Sequence, residues 1–281
     1  MDSVNLPSFL FRSNSTAAQL YTQLQEASAQ GDLERVRTLI KQGADVNTQD
    51  GAHTTPLWLA SAHNRPEIVQ ILLAAGANKS INVASRRGGI EKEDPQGSTP
   101  LWEASFRNND KIVLLLLDAG AQDSIWMASM RGDIETVKSF LKDGVDINAK
   151  DEGDNTALTW AVQKNRIELI EFLLTSGADA NVRSYCDGTI LMFAVREGNI
   201  EMIKLLLEAG ANVNKDGFLL ETPLMWAVTY NHPKVVKLLL DAGANFNAQD
   251  DSGNTALSLA IQNNRTEITE LLKQAGAKES A

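Results

Sequence analysis

Residues 222–244 read TPLMWAVTYNHPKVVKLLLDAGA, and this stretch decides the fold. Thr222 can cap a helix N-terminus, and Pro223 suits the first turn of that helix. After Pro233 the apolar residues follow the 3.6-residue spacing of a second helix with one buried face. Gly243 is placed to end this second helix in the left-handed conformation. The stretch therefore predicts a helix-turn-helix unit that a glycine closes.

The same unit recurs along most of the 281 residues. One unit cannot bury its apolar face alone, whereas stacked units bury a continuous core. The closing glycines are spaced by 33, 44, 24, 33, 33, 33 and 33 residues, and they are Gly43, Gly76, Gly120, Gly144, Gly177, Gly210, Gly243 and Gly276. Five equal spacings predict a repeat protein.

The motif Thr-Pro-Leu at Thr55 and Thr222, the Leu-Leu end of the second helix and the following Gly-Ala-Asp or Gly-Ala-Asn resemble the ankyrin repeat. The resemblance covers roughly residues 20–279. It implies an all-α fold, an ankyrin-repeat solenoid of stacked helix-turn-helix units with projecting β-hairpin fingers. It also implies a role in protein binding rather than catalysis.

The chain departs from the family in the histidine that follows Thr-Pro-Leu. Seven other residues occupy that position, namely Trp58, Trp102, Trp126, Thr159, Met192, Met225 and Ser258. In the family this histidine hydrogen-bonds between neighbouring turns. We expect tryptophan packing to replace that bracing.

The spacings of 44 and 24 mark a second departure. We predict an N-terminal arm at residues 1–16, a single repeat domain at 17–281, and a truncated repeat at 80–97. Ile81 and Ile125 are each predicted to begin a first helix. The truncation has two open interpretations: a deletion in a tolerant loop, or a notch in the finger row that fits a partner.

Composition excludes several classes of protein. The net charge of −10 argues against generic nucleic-acid binding. The single cysteine, Cys186, excludes an internal disulfide and a cysteine-type structural zinc site. The longest apolar run, Ile112–Leu117, is too short to span a membrane. The N-terminus has no basic region before an apolar stretch, so we expect no secretory signal and a cytoplasmic monomer.

No motif in the sequence points to catalysis. His53, His63 and His232 have no neighbour that would make them a general base or a metal ligand. Glycine-rich phosphate loops and the common hydrolase motifs are absent from the sequence. We therefore expect no catalytic residue, no metal site and no cofactor.

The repeat places equivalent residues of the first helices on one inner stripe. Along it lie an aromatic ladder (Trp160, Phe193 and Trp226) and a basic ladder (Arg86, Arg87, Arg107, Arg131, Lys164 and Arg196). The aromatic ladder can either pack between adjacent helices or contact a partner, and the sequence leaves both interpretations open. The basic ladder can be either a solvated stripe or a binding surface, and both interpretations stay open.

A second clue lies in the fingers. Most finger tips are polar, but one carries three consecutive apolar residues, Phe218, Leu219 and Leu220, which we call the apolar tip. Tyr185 lies in the preceding finger, and Tyr230 follows Trp226 on the inner stripe. Tryptophan, tyrosine and arginine are enriched at interface hot spots.

We therefore predict a scaffold that binds a protein or peptide with the two ladders, Tyr185, Tyr230 and the apolar tip. The basic ladder favours an acidic or phosphorylated ligand. An alternative is a stoichiometric inhibitor or immunity-type protein that covers the active site of a basic enzyme. The remaining alternative is an enzyme with a cryptic carboxylate pair, which no motif supports.

Overall fold

The computed structural model describes residues 9–86, 98–183 and 188–278. In this part of the chain the first and second helices of the repeats alternate as odd- and even-numbered helices. They are α1 (Phe9–Gln30), α2 (Leu33–Lys41), α3 (Pro56–Ala62), α4 (Pro66–Ala74), α5 (Pro100–Phe106), α6 (Asp110–Asp118), α7 (Ile125–Arg131), α8 (Ile134–Lys142), α9 (Ala157–Gln163), α10 (Ile167–Thr175), α11 (Ile190–Arg196), α12 (Ile200–Glu208), α13 (Pro223–Thr229), α14 (Pro233–Asp241), α15 (Ala256–Gln262) and α16 (Thr266–Gln274). The all-α repeat fold is confirmed.

The first helices begin where the sequence predicts. A threonine side chain accepts the backbone N–H of the third helical residue in six of them, at Thr55, Thr99, Thr156, Thr189, Thr222 and Thr255. Each cap satisfies a backbone donor that the helix itself cannot pair. The second helices end at the eight closing glycines, whose φ angles of 86° to 102° are left-handed.

The described chain forms two compact units, divided after Met127. In the first unit, α1, α3 and α5 pack in order, as do α2, α4 and α6. Their core includes the fully buried side chains of Leu24, Leu57, Leu101, Ile112 and Leu116. In the second unit, α9, α11, α13 and α15 pack in order, α10 contacts α12, and α14 contacts α16. That unit buries aliphatic side chains from each pair of helices.

The predicted helix start at Ile125 is confirmed, but the one at Ile81 is wrong. Both follow a serine, yet only Ser124 caps a helix, by accepting the N–H of Met127 over 3.2 Å. The hydroxyl of Ser80 instead donates to the carbonyl of Ala77, inside a 3₁₀ helix. Residues 81–86 form turns and a bridge.

On either side of the predicted truncated repeat, α3 and α5 are in direct contact. Ser85 and Ser98 exchange two backbone hydrogen bonds of 2.9 Å. Residues 87–97, and with them most of the predicted truncation, lie outside the described residues. The helix α1 begins at Phe9, within the segment 1–16 predicted as an arm. The division into an arm and one domain stays a prediction.

The fingers are closed by turns, and the described part of the chain shows two isolated bridges rather than named strands. The predicted β-hairpins are therefore not confirmed. Asparagines connect neighbouring fingers instead: Asn47, Asn181 and Asn214 donate to the closing glycine carbonyl of the next repeat over 2.9 to 3.2 Å. These bonds connect each of the three fingers to the next repeat.

The indole of Trp58 supplies such a brace. The indole N–H of Trp58 donates to the carbonyl of Ser98 over 2.8 Å, and Trp58 is buried. At Thr159 and Ser258 the side chain instead completes a capping box within its own helix. The expected replacement by tryptophan is thus seen at Trp58, whereas Thr159 and Ser258 bond within their own helices.

Candidate protein-binding surface

The three members of the aromatic ladder differ in exposure. Trp160 is 2% exposed, and its indole N–H donates to Asp151 Oδ2 over 2.6 Å. Phe193 is half-buried beneath the guanidinium of Arg196, which lies 4.5 Å from the ring centre. Trp226 is half-buried. Trp160 therefore packs inside the second unit and offers no surface to a partner.

Trp226 forms part of an exposed aromatic pair. Its ring centre lies 5.8 Å from that of Tyr230 at an interplanar angle of 54°, and Tyr230 is 44% exposed. The indole N–H of Trp226 donates to Glu221 Oε2 over 2.9 Å. Because this bond fixes the edge of the indole, the pair is held in one orientation beside the finger that contains the apolar tip.

The apolar tip is a 3₁₀ helix with its side chains in solvent. Phe218 is 62% exposed, and Leu219 and Leu220 are each 50% exposed. The N–H of Gly217 donates to the carbonyl of Glu221, and the N–H of Asp251 donates to the carbonyl of Leu219. The neighbouring finger therefore holds the backbone of the tip and leaves its side chains outside.

The backbone of the tip is strained. Leu219 and Leu220 have φ angles of 58° and 56°, in the left-handed region that leucine rarely adopts. Such strain persists only where surrounding contacts impose it, and it occurs preferentially at functional sites. Exposure of three apolar side chains adds a further cost. Together, these features single out the tip among the fingers that the structure describes.

Bonded contacts join the apolar tip to the aromatic pair. Glu221 follows the tip directly and accepts the indole N–H of Trp226, which in turn contacts Tyr230. We call this surface the tip patch and define it by Phe218, Leu219, Leu220, Trp226 and Tyr230. The described residues of the second unit thus bring together five of the residues that the sequence predicts for binding. The remaining finger residue, Tyr185, lies outside the described residues.

Four carboxylates occur on the two fingers that meet at the apolar tip. They are Asp216, Glu221, Asp250 and Asp251. Partial burial opposes ionisation of Asp250, but hydrogen bonds from Asn254 and Ser252 outweigh it and lower the pKa of this carboxyl. The nearest lysine in sequence, Lys215, reaches back to the carbonyl of Asn181 over 2.7 Å, and Arg183 donates to the backbone carbonyl of Asp216 over 3.4 Å. The patch is therefore apolar with an acidic border.

The basic ladder is largely paired within the protein. Arg107 Nε lies 2.9 Å from Oε2 of the fully buried Glu103, whose other oxygen accepts the hydroxyl of Ser98. Arg196 Nε donates to Glu197 over 3.1 Å. Arg131 and Lys164 are half-buried and already interact with other groups. Arg86 is exposed, and Arg87 lies outside the described residues.

Within residues 9–86, 98–183 and 188–278, no three His, Cys, Asp or Glu side chains are grouped as metal ligands would be. In the same ranges, no helix combines the length and apolar character needed to cross a bilayer. Cys186 lies outside them.

A family profile described as "Ankyrin repeats (3 copies)" matches residues 24–125, 125–217 and 191–281. The chain belongs to the ankyrin-repeat family. Ankyrin repeats mediate protein–protein interactions, so the coarse prediction of a protein partner is supported. The overlapping matches cover both compact units.

Individual relatives resemble only a part of this ankyrin-repeat chain. Human protein phosphatase 1 regulatory subunit 27 is 41% identical over 56 residues, which are 20% of this chain and 36% of that protein. The mouse protein of the same name is 39% identical over 56 residues, with the same coverage. Human ankyrin repeat domain-containing protein 40 is 40% identical over 60 residues, 21% of this chain and 16% of that protein. The chain thus spans about a third or less of these relatives.

The sequence reasoning missed the acidic border of the tip patch and the internal pairing of the arginines. Both left a signal. No lysine or arginine occurs at residues 216–233 or 238–264, and Glu103 precedes Arg107 by one helical turn. The burial of Trp160 left no such signal, because Trp160 and Trp226 occupy equivalent positions of their repeats.

Proposed function

We propose that this ankyrin-repeat protein is a non-catalytic scaffold that binds another protein through the tip patch. The observation that carries the proposal is the exposure of Phe218, Leu219 and Leu220 on a strained backbone. Covering three adjacent apolar side chains with a partner lowers the free energy of the complex. Aromatic residues such as Trp226 and Tyr230 are common hot spots of protein interfaces. The remaining described fingers carry polar tips.

An acidic or phosphorylated ligand on the basic ladder is the weaker form of the proposal, because Arg107 and Arg196 already pair with Glu103 and Glu197. The net charge of −10 favours a second candidate, a stoichiometric inhibitor that covers a basic enzyme. The likeness to a phosphatase 1 regulatory subunit suggests a phosphatase as one specific partner to look for.

The experiment compares proteins captured from an extract of the source cells by the wild-type chain and by Phe218→Ala. Burying one such side chain stabilises a complex by about 1.5 to 3 kcal/mol. The affinity of Phe218→Ala for the specific partner should therefore be at least about tenfold lower than that of the wild type. Leu114→Ala is the matched control, because Leu114 is 63% exposed on α6 and outside the tip patch. Its capture should equal that of the wild type.

Thermal unfolding of the same variants separates binding from packing. We expect all three chains to melt at similar temperatures, since the tip side chains lie in solvent. A lower melting temperature for Phe218→Ala with unchanged capture would show that the tip stabilises its own finger and would refute the proposal. The identity of the captured protein then separates the adaptor from the inhibitor: a basic enzyme whose activity falls on binding supports the latter.

A further inference from the structure

The tip patch combines two chemical features that together restrict its partner. Its centre is apolar and aromatic, and its border carries Asp216, Glu221, Asp250 and Asp251. The bond from the N–H of Asp251 to the carbonyl of Leu219 holds this acidic finger directly against the tip. Glu221 lies between the tip and the aromatic pair and binds the indole of Trp226. The carboxylates are therefore built into the patch.

Two cations contact the patch or lie next to it: the exposed Arg183 donates to the backbone carbonyl of Asp216 over 3.4 Å, and Lys215 precedes Asp216 in the chain. Lys215 donates to the carbonyl of Asn181 in the preceding repeat and is half-buried. The sequence has no lysine or arginine at residues 216–233 and 238–264, which include the rest of both fingers and both first helices beside them. The four carboxylates exceed these two cations, so the border carries a net negative charge toward any segment that covers the apolar side chains.

Resting on the proposed function, we infer that the tip patch binds a short segment of a partner protein in which a large apolar side chain lies next to lysine or arginine. The apolar side chain covers Phe218 and Leu220. The neighbouring cation meets the acidic border and the exposed face of Tyr230, since a cation gains from both a carboxylate and an aromatic ring.

The same features disfavour the other occupants. A second copy of this chain would bring the same carboxylates together, and like charges across an interface cost free energy. An anionic membrane surface and an acidic or phosphorylated peptide would be repelled for the same reason. A neutral apolar segment would leave the acidic border unused. A basic and apolar segment satisfies both parts of the patch.

The test selects a phage-displayed library of random 12-residue peptides on the immobilised full chain. We expect enriched peptides to carry a Phe, Leu, Ile, Met or Trp beside at least one Lys or Arg. A representative peptide, synthesised with a fluorophore, should bind less tightly as salt rises, because salt screens exposed charges. Enrichment of acidic or uncharged apolar peptides would overturn the inference, as would a failure to enrich any peptide.

Two variants connect the selected peptide to the patch. Asp216→Asn with Asp251→Asn should weaken binding of the peptide by at least about twofold and up to about 30-fold, from the range for exposed ion pairs. Glu168→Gln with Glu201→Gln, on exposed positions of α10 and α12, changes the net charge equally and should leave the affinity unchanged. Equal losses in the two double variants would overturn the inference.

Phe218→Ala separates failure of the inference from failure of the proposed function. If acidic peptides are enriched and lose binding in Phe218→Ala, the tip patch is a binding site and only the inferred partner chemistry is wrong. If enriched peptides bind Phe218→Ala as well as the wild type, both are wrong. Concentration-dependent dimerisation of the free chain that Phe218→Ala abolishes would assign the patch to a second copy and overturn the inference.

Discussion

Single side chains connect successive repeats at the start of several second helices. The residue before the helix makes no cap bond and instead reaches back to a carbonyl of the preceding repeat. Three of these pairs are Arg65 to Ala29 at 3.2 Å, Arg166 to Met130 at 2.9 Å and His232 to Arg196 at 3.0 Å. Each side chain lies over a glycine with positive φ, at Gly31, Gly132 and Gly198. The glycine thus adopts the positive φ that its turn requires, and its missing side chain leaves space for the side chain from the next repeat.

We predict that Gly198→Ala destabilises the protein more than Gly253→Ala. Both glycines have positive φ, of 67° and 79°, so both variants incur the cost of about 1 to 2 kcal/mol for a left-handed alanine. At Gly198 the new Cβ would also lie 2.8 Å from the ring of His232 and displace its hydrogen bond. The added loss is about 1 to 3 kcal/mol.

Urea unfolding at neutral pH measures both losses. Gly253→Ala is the control, because an added Cβ there meets no atom within 4 Å. If the two variants lost equal stability, the contact between Gly198 and His232 would not contribute to the bracing of the repeats.

At the scale of the elements, an aspartate organises the turn of several fingers. One carboxylate oxygen accepts two backbone N–H groups, two and four residues further on, over 2.8 to 2.9 Å. This occurs at Asp50, Asp151 and Asp250. Such bonds replace the strand pairing that the fingers lack and leave the tip backbone paired.

We predict that Asp250→Asn is less stable than the wild type at about pH 7 and that this difference shrinks in acid. Despite partial burial, hydrogen bonds from Asn254 and Ser252 lower the pKa of Asp250 from its ordinary value of 3.8, so the folded protein favours the charged form. This contribution is complete above the unfolded pKa and is lost as the pH falls through the folded pKa. The difference in stability between the wild type and Asp250→Asn should therefore shrink below about pH 3.8.

Urea unfolding at about pH 7, 5 and 3 follows the difference. Asp241→Asn, at the exposed end of α14, changes the net charge equally and serves as the control. A difference between the wild type and Asp250→Asn that stays constant down to about pH 3 would contradict the assignment of the stabilisation to the carboxylate.

At the scale of the whole molecule, charge restricts the class of partner more than shape does. The chain carries 26 basic and 36 acidic residues. The arginines of the basic ladder are in part paired with carboxylates, as Arg107 and Arg196 show. The acidic excess is therefore not offset by a row of free cations in the described residues. The prediction of one domain over residues 17–281 stays a prediction.

We expect no measurable binding to a mixed-sequence DNA duplex at physiological salt, with a Kd weaker than about 10⁻⁴ M, the upper end for non-specific binding. Fluorescence anisotropy of a labelled duplex at low and physiological salt checks this. A steep loss of affinity with salt would instead reveal a basic surface that the net charge conceals. Substituting Arg86 and Arg87 with glutamine would then locate it.

The sequence predicts the helices and their ends closely, since these depend on interactions within a few residues. Thr222 caps its own helix, and Gly243 ends the next one through its own backbone. The 33-residue spacing then implies stacking, because each unit has the same face to bury. Prediction fails at Ile81, where Ser80 and Ser124 precede similar segments but bond to different atoms.

The sequence by itself determined the repeat, the helix boundaries, the acidic net charge and the unusual apolar tip. The tertiary structure decided which of these residues a partner can reach. Trp160 and Trp226 are equivalent in the repeat, yet Trp160 is buried against Asp151 while Trp226 lies at the surface beside Tyr230. Exposure depends on how the neighbouring finger packs, and that packing joins residues from different repeats, so no single repeat specifies it.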